Sequence, residues 1–246
     1  MNLILLDQTE IKNGKATIEG RRAEHIRKVI KPAPGDILKA GIINGPVGRG
    51  RITACGRAVT LELDDLADPP RGPETILIAA LPRPIMLRRV LAQAAAFGVR
   101  ELHLINSARV EKSFFSASLV KKAAWQEFLI KGLEQGGRTR LPKVLVHNRF
   151  RPFIEDFFPD HFATHKRRFI AHPCDNPRAT NGDNREAVAA IGPEGGWVDF
   201  EIEKFLEQSF TPISLGSTIM RVDWAIPALL SILETTSNLL TGPGAP

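Results

Sequence analysis

The sequence predicts an α/β protein in which a small β-barrel domain precedes a larger domain with a mainly parallel sheet. Residues 3–65 contain only short apolar runs separated by turn residues, which is typical of a small barrel. A proline-rich stretch follows, and beyond residue 75 apolar strands alternate with helical patterns, which is typical of a parallel sheet. These features assign residues 1–68 to the first domain, 69–74 to a linker and 75–246 to the second domain.

The first domain is predicted to contain five strands and one short helix. Its apolar or alternating runs predict strands at residues 3–6, 16–18, 37–43, 50–54 and 59–63. Turn residues separate these runs at Asn13-Gly14, Pro34-Gly35-Asp36 and Asn44-Gly45-Pro46. Helical spacing predicts a helix from Ala23 to Ile30. So many short strands are most simply closed as a small barrel.

The linker is the stretch Asp68-Pro69-Pro70-Arg71-Gly72-Pro73, whose prolines can continue neither a sheet nor a helix. Beyond it, strands are predicted at residues 75–81, 101–105, 143–147, 168–172 and 187–191, with helices at 85–97, about 119–133, 199–206 and about 222–240. The helix at 199–206 has a carboxylate-rich first turn. Gly98 is expected to end the first of these helices at its C′ position. The last helix is rich in Leu, Ile and Ala, so we expect it to be buried, and another subunit could cover it.

Composition and charge limit the possible functions. The chain of 246 residues carries a formal net charge of +6, concentrated in residues 1–57 and 131–151. Two basic segments indicate a polyanionic partner, with RNA or DNA ahead of membrane lipid, although ordinary surface lysines and arginines would give the same pattern. The chain has only two cysteines, no signal peptide and no apolar run near the roughly 20 residues that cross a bilayer, so we predict a cytoplasmic protein without membrane association.

Several common catalytic motifs are absent from the sequence. There is no P-loop, no G-x-G-x-x-G after the first strand of the second domain, no G-x-S-x-G and no H-E-x-x-H. His161 and His165 have a spacing that can bind metal, but no acidic third ligand accompanies them. We therefore predict no metal site.

Three motifs remain, and each follows a predicted strand or lies near one in the second domain. They are Ala171-His172-Pro173, Ile191-Gly192-Pro193-Glu194-Gly195-Gly196, and the pair Leu215-Gly216 with Ile219-Met220-Arg221. Open α/β sheets usually bind ligands beyond the carboxyl ends of their strands. The alternative for any one such loop is a tight turn without a ligand.

The glycine-rich motif and the residues 215–221 closely resemble the signature of the SPOUT-class methyltransferases that methylate N3 of a uridine in 16S ribosomal RNA. The resemblance extends to Arg22-Ala23-Glu24-His25-Ile26-Arg27-Lys28-Val29 and to Glu134-Gln135-Gly136-Gly137-Arg138-Thr139-Arg140-Leu141-Pro142. It implies a PUA-like β-barrel followed by an α/β domain with a trefoil knot. It also implies a homodimer, S-adenosylmethionine (SAM) as cofactor, and 16S ribosomal RNA of the small ribosomal subunit as substrate.

The resemblance also implies roles for individual residues. The cofactor-binding residues would be Ala171, His172, Pro173, Ile191, Gly192, Pro193, Gly195, Gly196, Leu215, Gly216, Ile219, Met220, Arg221 and Ala225. Glycines allow the backbone to approach a ligand closely, and Ile191, Leu215, Ile219 and Met220 would form an apolar wall around the adenine.

The expected reaction requires that the imide proton leave N3 of the uracil. Arg221 is the candidate cation that stabilises the uracil anion, with Asp223 or Glu194 as the base or as the partner that orients Arg221. The alternatives are structural: Arg221 could pair with Asp223 at a helix start, and Glu194 could satisfy backbone donors. The candidate RNA-binding residues are Arg21, Arg22, Arg27, Lys28, Arg138 and Arg140.

The sequence also departs from the family pattern. Val222-Asp223-Trp224-Ala225 stands where relatives usually carry x-Glu-Thr-Ala, and Gly216-Ser217-Thr218 replaces Gly-Pro-Arg. These changes favour a variant subfamily. They also leave open two other functions: an RNA-binding or ribosome-assembly protein that kept the fold without catalysis, and a SAM-dependent enzyme acting on transfer RNA.

Overall fold

The computed structural model describes residues 2–69, 74–116, 125–174 and 186–238. The chain divides into two compact units. The first unit comprises Met1–Arg71 together with Ile130–Leu141, and the second comprises Gly72–Leu129 together with Pro142–Pro246. The assignment of residues 130–141 to the first unit is a feature that the sequence pattern did not indicate.

Short strands and one helix form most of the first unit. The strands are β1 (Ile4–Leu6), β2 (Ile11–Lys12), β3 (Lys15–Ile18), β4 (Ile37–Ile42), β5 (Val47–Cys55) and β6 (Val59–Ala67), and helix α1 (Gly20–His25) continues into a π-helical turn at Ile26–Ile30. The sheet has the order β1-β4-β5-β6-β3-β2. Strands β1 and β4 are parallel, and the other neighbours are antiparallel. All five predicted strands are present. The sixth strand, β2, was not predicted, because its two residues are too few to show a periodic pattern.

Alternation of side chains explains the core of this unit. Along β3, Ala16 and Ile18 are buried while Lys15 and Thr17 are exposed, so one face of the strand packs inward. The β2–β3 hairpin turns at Asn13-Gly14, where both residues have positive φ, of 49° and 74°. Two-residue hairpin turns of this kind require positive φ at both positions, which is why the predicted Asn-Gly pair forms the turn.

The segment 130–141 is held to the first unit by specific polar contacts. Asn44 N donates a hydrogen bond to Thr139 O at 2.8 Å, and Thr139 Oγ1 donates to Gly45 O at 2.8 Å. Thr139 is 2% exposed. A Cβ added at Gly41 would stand 2.7 Å from Thr139 Cγ2, so this close approach requires the glycine.

The second unit contains a parallel sheet with helices between its strands. Its strands are β7 (Ile76–Ala80), β8 (Glu101–Ile105), β9 (Lys143–His147), β10 (Arg168–Ala171), β11 (Val188–Ile191) and β12 (Thr211–Ile213). They are arranged in the order β12-β10-β11-β7-β8-β9, and all neighbouring pairs are parallel. The prediction of a mainly parallel α/β sheet is therefore confirmed, and β12 is an addition to it.

The helices agree with most of the predicted positions. They are α2 (Pro84–Ala96), α3 (Ser113–Ser116), α4 (Gln126–Gly136), α5 (Phe158–Phe162), α6 (Asp199–Glu207) and α7 (Val222–Asn238), with a π-helical turn at Pro152–Phe157. The predicted start of the helix at 119–133 and the predicted end of the helix at 222–240 both lie outside the described residues. Helix α4 continues to residue 136, three residues beyond the predicted end.

Gly98 ends helix α2 as the sequence predicts. Its φ is 72°, and Val99 N reaches back to Ala94 O at 2.9 Å, which is the hydrogen bond of a Schellman motif. Within the described residues, no helix has the length and apolarity needed to cross a bilayer, and no group of three or more metal-binding side chains occurs.

Candidate functional site

Three of the predicted motifs lie beside one another at the carboxyl edge of the parallel sheet. Strands β12, β10 and β11 are adjacent in that order and run in the same direction. The loops that follow them begin at Ser214, His172 and Gly192. The main chain joins two of these loops, since His172 N donates to Ile213 O at 3.2 Å. The described part of the loop after β10 ends at Cys174; of its predicted residues, His172 is half-buried and Pro173 exposed.

The loop after β11, residues 192–197, is tightly packed. Gly196 N donates to Pro193 O at 2.8 Å and closes a turn, and the φ of 76° at Gly196 favours glycine. Gly192 is buried, and a Cβ added there would stand 3.2 Å from the indole of Trp197. Packing therefore selects glycine at 192, and backbone conformation selects it at 196.

Glu194 and Gly195 lie on the exposed side of this turn. Arg109, from the loop after β8, donates through Nη1 to Gly195 O. The Glu194 side chain makes no hydrogen bond or ion pair with any described residue. The structural alternative for Glu194, a carboxylate that caps backbone donors, therefore has no support from these contacts.

Glu201, three residues into α6, has that capping role instead. It is 2% exposed and accepts hydrogen bonds from Ala108 N at 2.7 Å, Ser107 Oγ at 3.1 Å and Val198 N at 3.1 Å. Because these donors lie in the loops after β8 and β11, this single carboxylate fixes both loops. The sequence showed Glu201 only as part of an acidic first turn, and the sole signal for its burial was its position three residues after the helix start.

The turn after β12, residues 214–221, is far more exposed. Gly216 has a φ of 130°, which favours glycine, and a Cβ there would meet no atom within 4 Å. Ile191 is buried and Leu215 and Met220 are half-buried, but Ile219 is 98% exposed. In the single chain, therefore, Ile219 does not contribute to the apolar wall that the sequence predicts.

Arg221 and Asp223 form an ion pair at the start of α7. Arg221 Nε lies 3.2 Å from Asp223 Oδ1, and Arg89 Nη1 of α2 donates to Asp223 Oδ2 at 2.7 Å. The Asp223 side chain is 3% exposed, whereas both arginines are more than half exposed. Asp223 is thus a buried anion between two cations, which suits an orienting partner better than a base that must exchange its proton.

The neighbours of this ion pair fix the start of α7 as well. Gln93 Nε2 donates to Asp223 O at 2.6 Å, which ties α7 to α2. Trp224 is 65% exposed, and Arg221 Cζ stands 6.0 Å from its ring centroid. Ala225 is 7% exposed. Sequence reasoning missed Arg89 and Gln93, because nothing in a single sequence links α2 to residues 130 positions later.

Comparison with known proteins identifies the family. The RNA methyltransferase domain family matches residues 70–234. The ribosomal RNA small subunit methyltransferase E of Treponema pallidum is 30% identical over 97% of this chain and 92% of its own length. The chain belongs to the small-subunit ribosomal RNA methyltransferase E family.

Two further comparisons agree with this membership. The ribosomal RNA small subunit methyltransferase E 1 of Borreliella burgdorferi is 24% identical over 98% of this chain and 99% of its own. The crystal structure of the methyltransferase E of Neisseria gonorrhoeae, which is bound to S-adenosylmethionine, has a TM-score of 0.74 at 20% identity over 96% of this chain and 97% of its own. At this identity, the structural match shows a shared fold.

The six predicted RNA-binding residues all lie in the first unit of this family member. Arg22 donates to both carboxylate oxygens of Glu10 and to Leu5 O, so its guanidinium is already engaged by the protein. Lys28 pairs with Glu24 at 2.7 Å but stays 74% exposed, and Arg27 Nε lies 3.4 Å from Ala23 O. Arg21 and Arg140 are exposed, and Arg138 is half-buried. The contacts of Arg22 therefore favour a structural role.

Glu134, from the segment that resembles the family's central motif, is also part of the first unit. Its main-chain oxygen accepts from Asn2 N at 3.1 Å, and its Oε1 accepts from Leu5 N at 3.4 Å. Burial raises the pKa of Glu134 above its ordinary value, although the hydrogen bond from Leu5 and the charges of Arg22 and His25 oppose this rise. The contacts of Glu134 point to a structural role in this unit.

A histidine pair lies in the sheet of the second unit, on the neighbouring strands β8 and β9. His103 Nδ1 of β8 is 3.0 Å from His147 Nε2 of β9, and His103 is fully buried against a cluster of phenylalanine rings. Burial lowers the pKa of His103 to about 3, helped by the neighbouring His147. Burial also lowers the pKa of His147. His103 is therefore neutral at pH 7 and acts as a core side chain.

Proposed function

We propose that this protein transfers the methyl group of SAM to N3 of a uridine in the 16S ribosomal RNA of the small ribosomal subunit. The observation that carries the proposal is the meeting of three glycine- or proline-containing loops at the carboxyl ends of β12, β10 and β11. Two findings support it: family membership, and the SAM found in the related structure from Neisseria gonorrhoeae. The proposed cofactor residues are those predicted from the sequence.

The exposed main chain of the β12 turn fits a nucleoside ligand. Leu215, Ile219 and Met220 make no main-chain hydrogen bond to any described residue, so their N–H and C=O groups are available to an adenine edge. The open space around Gly216 leaves room for a close approach by the ligand. The tightly packed Pro193-Glu194-Gly195-Gly196 turn would provide the opposite, rigid wall.

Bound SAM supplies an electrophilic methyl group on its sulfonium. In the proposed reaction the uridine N3–CH₃ bond forms as the S–CH₃ bond breaks, and the N3 proton passes to a base. Arg221 would hold the negative charge that develops on the uracil. Its guanidinium is more than half exposed and pairs with Asp223, which supports this role. Glu194, exposed and without a described partner, is the better candidate for the base.

The remaining parts of the proposal follow the family resemblance. The first unit would act as a PUA-like RNA-binding barrel within residues 1–68, and residues 75–246 would form the trefoil-knot methyltransferase domain. The protein would act in the cytoplasm as a homodimer. The high exposure of Ile219 and Trp224 supports the dimer, since a second copy would remove these apolar side chains from water.

A second function follows from the altered start of α7. The exposed Trp224 stands where relatives usually carry threonine, and Asp223 is paired with two arginines. A protein that binds ribosomal RNA without transferring methyl groups would tolerate both features. Such a protein would bind RNA tightly and have no affinity for SAM.

Calorimetric titration of the full chain with SAM, followed by methyl-transfer assays, distinguishes these functions. We expect binding in the micromolar range, about −8 kcal/mol, and transfer to small ribosomal subunits but not to transfer RNA. Folded protein that binds RNA but fails to bind SAM, both alone and with RNA present, would favour the non-catalytic function. If transfer RNA were the only RNA methylated, the proposed substrate would be wrong, but the protein would still be a SAM-dependent methyltransferase.

A further inference from the structure

A pocket separate from the three loops opens at the carboxyl ends of β8 and β9. Its volume is about 580 Å³, enough for a nucleotide. It is lined by Asn106, Ser107, Ala108, Arg149, Phe150, Arg151, Pro152, Val198, Phe200 and Glu201. These residues come from the loops after β8 and β9 and from the start of α6, and none of them is among the predicted cofactor or RNA-binding residues.

Aromatic rings form one side of this pocket. Phe150 and Phe200 are half-buried, and their ring centroids lie 6.2 Å apart at an interplanar angle of 66°. Arg151 and Lys204 lie over the Phe200 ring, at 4.7 and 5.9 Å from its centroid, so a nucleobase would stack on the part of the half-buried rings that these cations leave open.

Two arginines form the rim of the pocket, and their charges are available. Arg151 Cζ stands 4.7 Å from the Phe200 ring centroid, so its guanidinium is positioned by stacking, and no carboxylate of the described residues engages it. Arg149 is exposed and makes no ion pair with any residue that the structure describes. A planar guanidinium can donate two parallel hydrogen bonds to a phosphate, so the rim suits a phosphodiester.

The carboxylate in the pocket does not oppose an anionic ligand. Glu201 already accepts hydrogen bonds from Ser107 Oγ, Ala108 N and Val198 N. Its charge is offset by these donors, and its side chain belongs to the floor of the pocket. The polar groups left at the rim are therefore the two cationic side chains.

From these contacts we infer that the pocket binds a single-stranded nucleotide of the RNA substrate, with its base on Phe200 and its phosphate at Arg149 and Arg151. The inference rests on the proposed function, because it makes the pocket a subsite next to the methyl-transfer centre. The nearest strands of the two sites, β11 and β8, are two positions apart in the sheet, about 10 Å. This distance corresponds to one or two nucleotides of extended RNA, so the pocket would bind a close neighbour of the target uridine and contribute to its selection.

The test measures binding of a fluorescently labelled, uridine-rich single-stranded oligoribonucleotide to the full chain over a range of salt concentrations. Phe200→Leu removes the stacking surface and should weaken binding about tenfold. Arg149→Gln and Arg151→Gln should each flatten the dependence of log affinity on log salt by about 0.7. Lys166→Gln is the matched control, because Lys166 is exposed and precedes β10 at the opposite, amino edge of the sheet. It should leave binding and salt dependence nearly unchanged.

Three further measurements make the outcome decisive. In the two arginine variants, the SAM affinity and the thermal unfolding midpoint should match those of wild type. If Phe200→Leu fails to fold, these two variants alone test the inference. Methyl transfer should show a raised KM for small subunits with kcat unchanged. The inference would be wrong if the pocket variants kept the RNA affinity and salt dependence of wild type. It would also be wrong if Lys166→Gln lost as much RNA affinity as the pocket variants do. Failure of the proposed function is a separate result: wild type would then transfer no methyl group, whatever the RNA affinities.

Discussion

The loop after β11 and the turn after β12 belong to the same candidate site, yet they are built in opposite ways. In the first, Gly192 is pressed against the buried Trp197 and a hydrogen bond from Gly196 to Pro193 closes the turn. In the second, Gly216 has open space around it and Ile219 is 98% exposed. One wall of the site is complete in the single chain, and the other is not.

This difference indicates how the site is completed. A packed loop has lost its conformational entropy on folding and binds a ligand without further ordering. An exposed turn with unpaired main-chain groups must be ordered by something that covers it, either the ligand or a second copy of the chain. We therefore expect changes in the β11 loop to alter stability and changes in the β12 turn to alter binding and catalysis.

The largest effect should come from Arg221→Ala in the exposed turn. Methyl transfer to small subunits should fall about 100-fold or more, because a positioned cation no longer meets the developing negative charge. The free energy of unfolding should change little, since Arg89 remains paired with Asp223. Arg89→Ala is the matched control and should retain most of the activity. Wild-type turnover in Arg221→Ala would remove this residue from the mechanism.

Glu201→Ala should produce the largest loss of stability on the packed side of the site. Three donors, from Ser107, Ala108 and Val198, would lose their buried acceptor. The free energy of unfolding should fall by about 3 kcal/mol, measured by urea denaturation. Glu201→Gln keeps the shape and part of the acceptor capacity, so it should lose less. Equal stability of wild type and Glu201→Ala would show that this carboxylate does not fix the two loops.

We expect acid to weaken the sheet of the second unit through His103 of β8. Because burial lowers the pKa of His103 from its ordinary value of 6.5 to about 3 in the folded protein, the unfolded chain binds more protons between these values. The contribution of His103 to the free energy of unfolding is fully present above pH 6.5. It falls as the pH drops, by about 2 kcal/mol between pH 7 and pH 5. Urea denaturation at both pH values measures this loss.

His103→Gln removes the titrating group and should flatten that pH dependence. Part of the slope should remain, since burial also lowers the pKa of His147. A slope as steep as that of wild type would show that other groups cause the acid sensitivity.

The smallest effects separate the two glycines. Gly192→Ala should lower the free energy of unfolding by about 1–2 kcal/mol, because its methyl group crowds the buried Trp197 indole. Gly216→Ala strains the backbone of an exposed turn, at about 1–3 kcal/mol, and should also weaken SAM binding in calorimetry. Gly192→Ala should bind SAM nearly as wild type does, and an equal loss of SAM affinity in both variants would contradict the contrast between the two loops.

Much of the architecture could be predicted because its causes are local. The Asn13-Gly14 hairpin turn, the Gly98 helix end and the apolar strands of the parallel sheet depend on residues near one another in the chain. The order of strands and the adjacency of the loops depend on pairing between distant segments. No periodicity in a single sequence reports such pairing, which is why β12 and the role of Arg89 escaped prediction.

The candidate site shows the same division. Its glycines were apparent from the sequence because they punctuate strand ends. The burial of Glu201 and Asp223 was not, since an acidic residue near a helix start is usually exposed, and only their partners in other elements reveal why they are buried. Arg22 was predicted from charge alone as an RNA contact, whereas Glu10 and Leu5 already hold it.

The attachment of residues 130–141 to the first unit has a consequence for how the chain is made. Synthesis proceeds from the amino terminus, so residues 2–69 leave the ribosome long before Thr139, which contacts Asn44 and Gly45, exists. The first unit must wait for about half of the polypeptide before its surface is complete. A fragment ending at the proline-rich linker would therefore expose Gly41 and its neighbours to water. An isolated first unit would have to include residues 130–141.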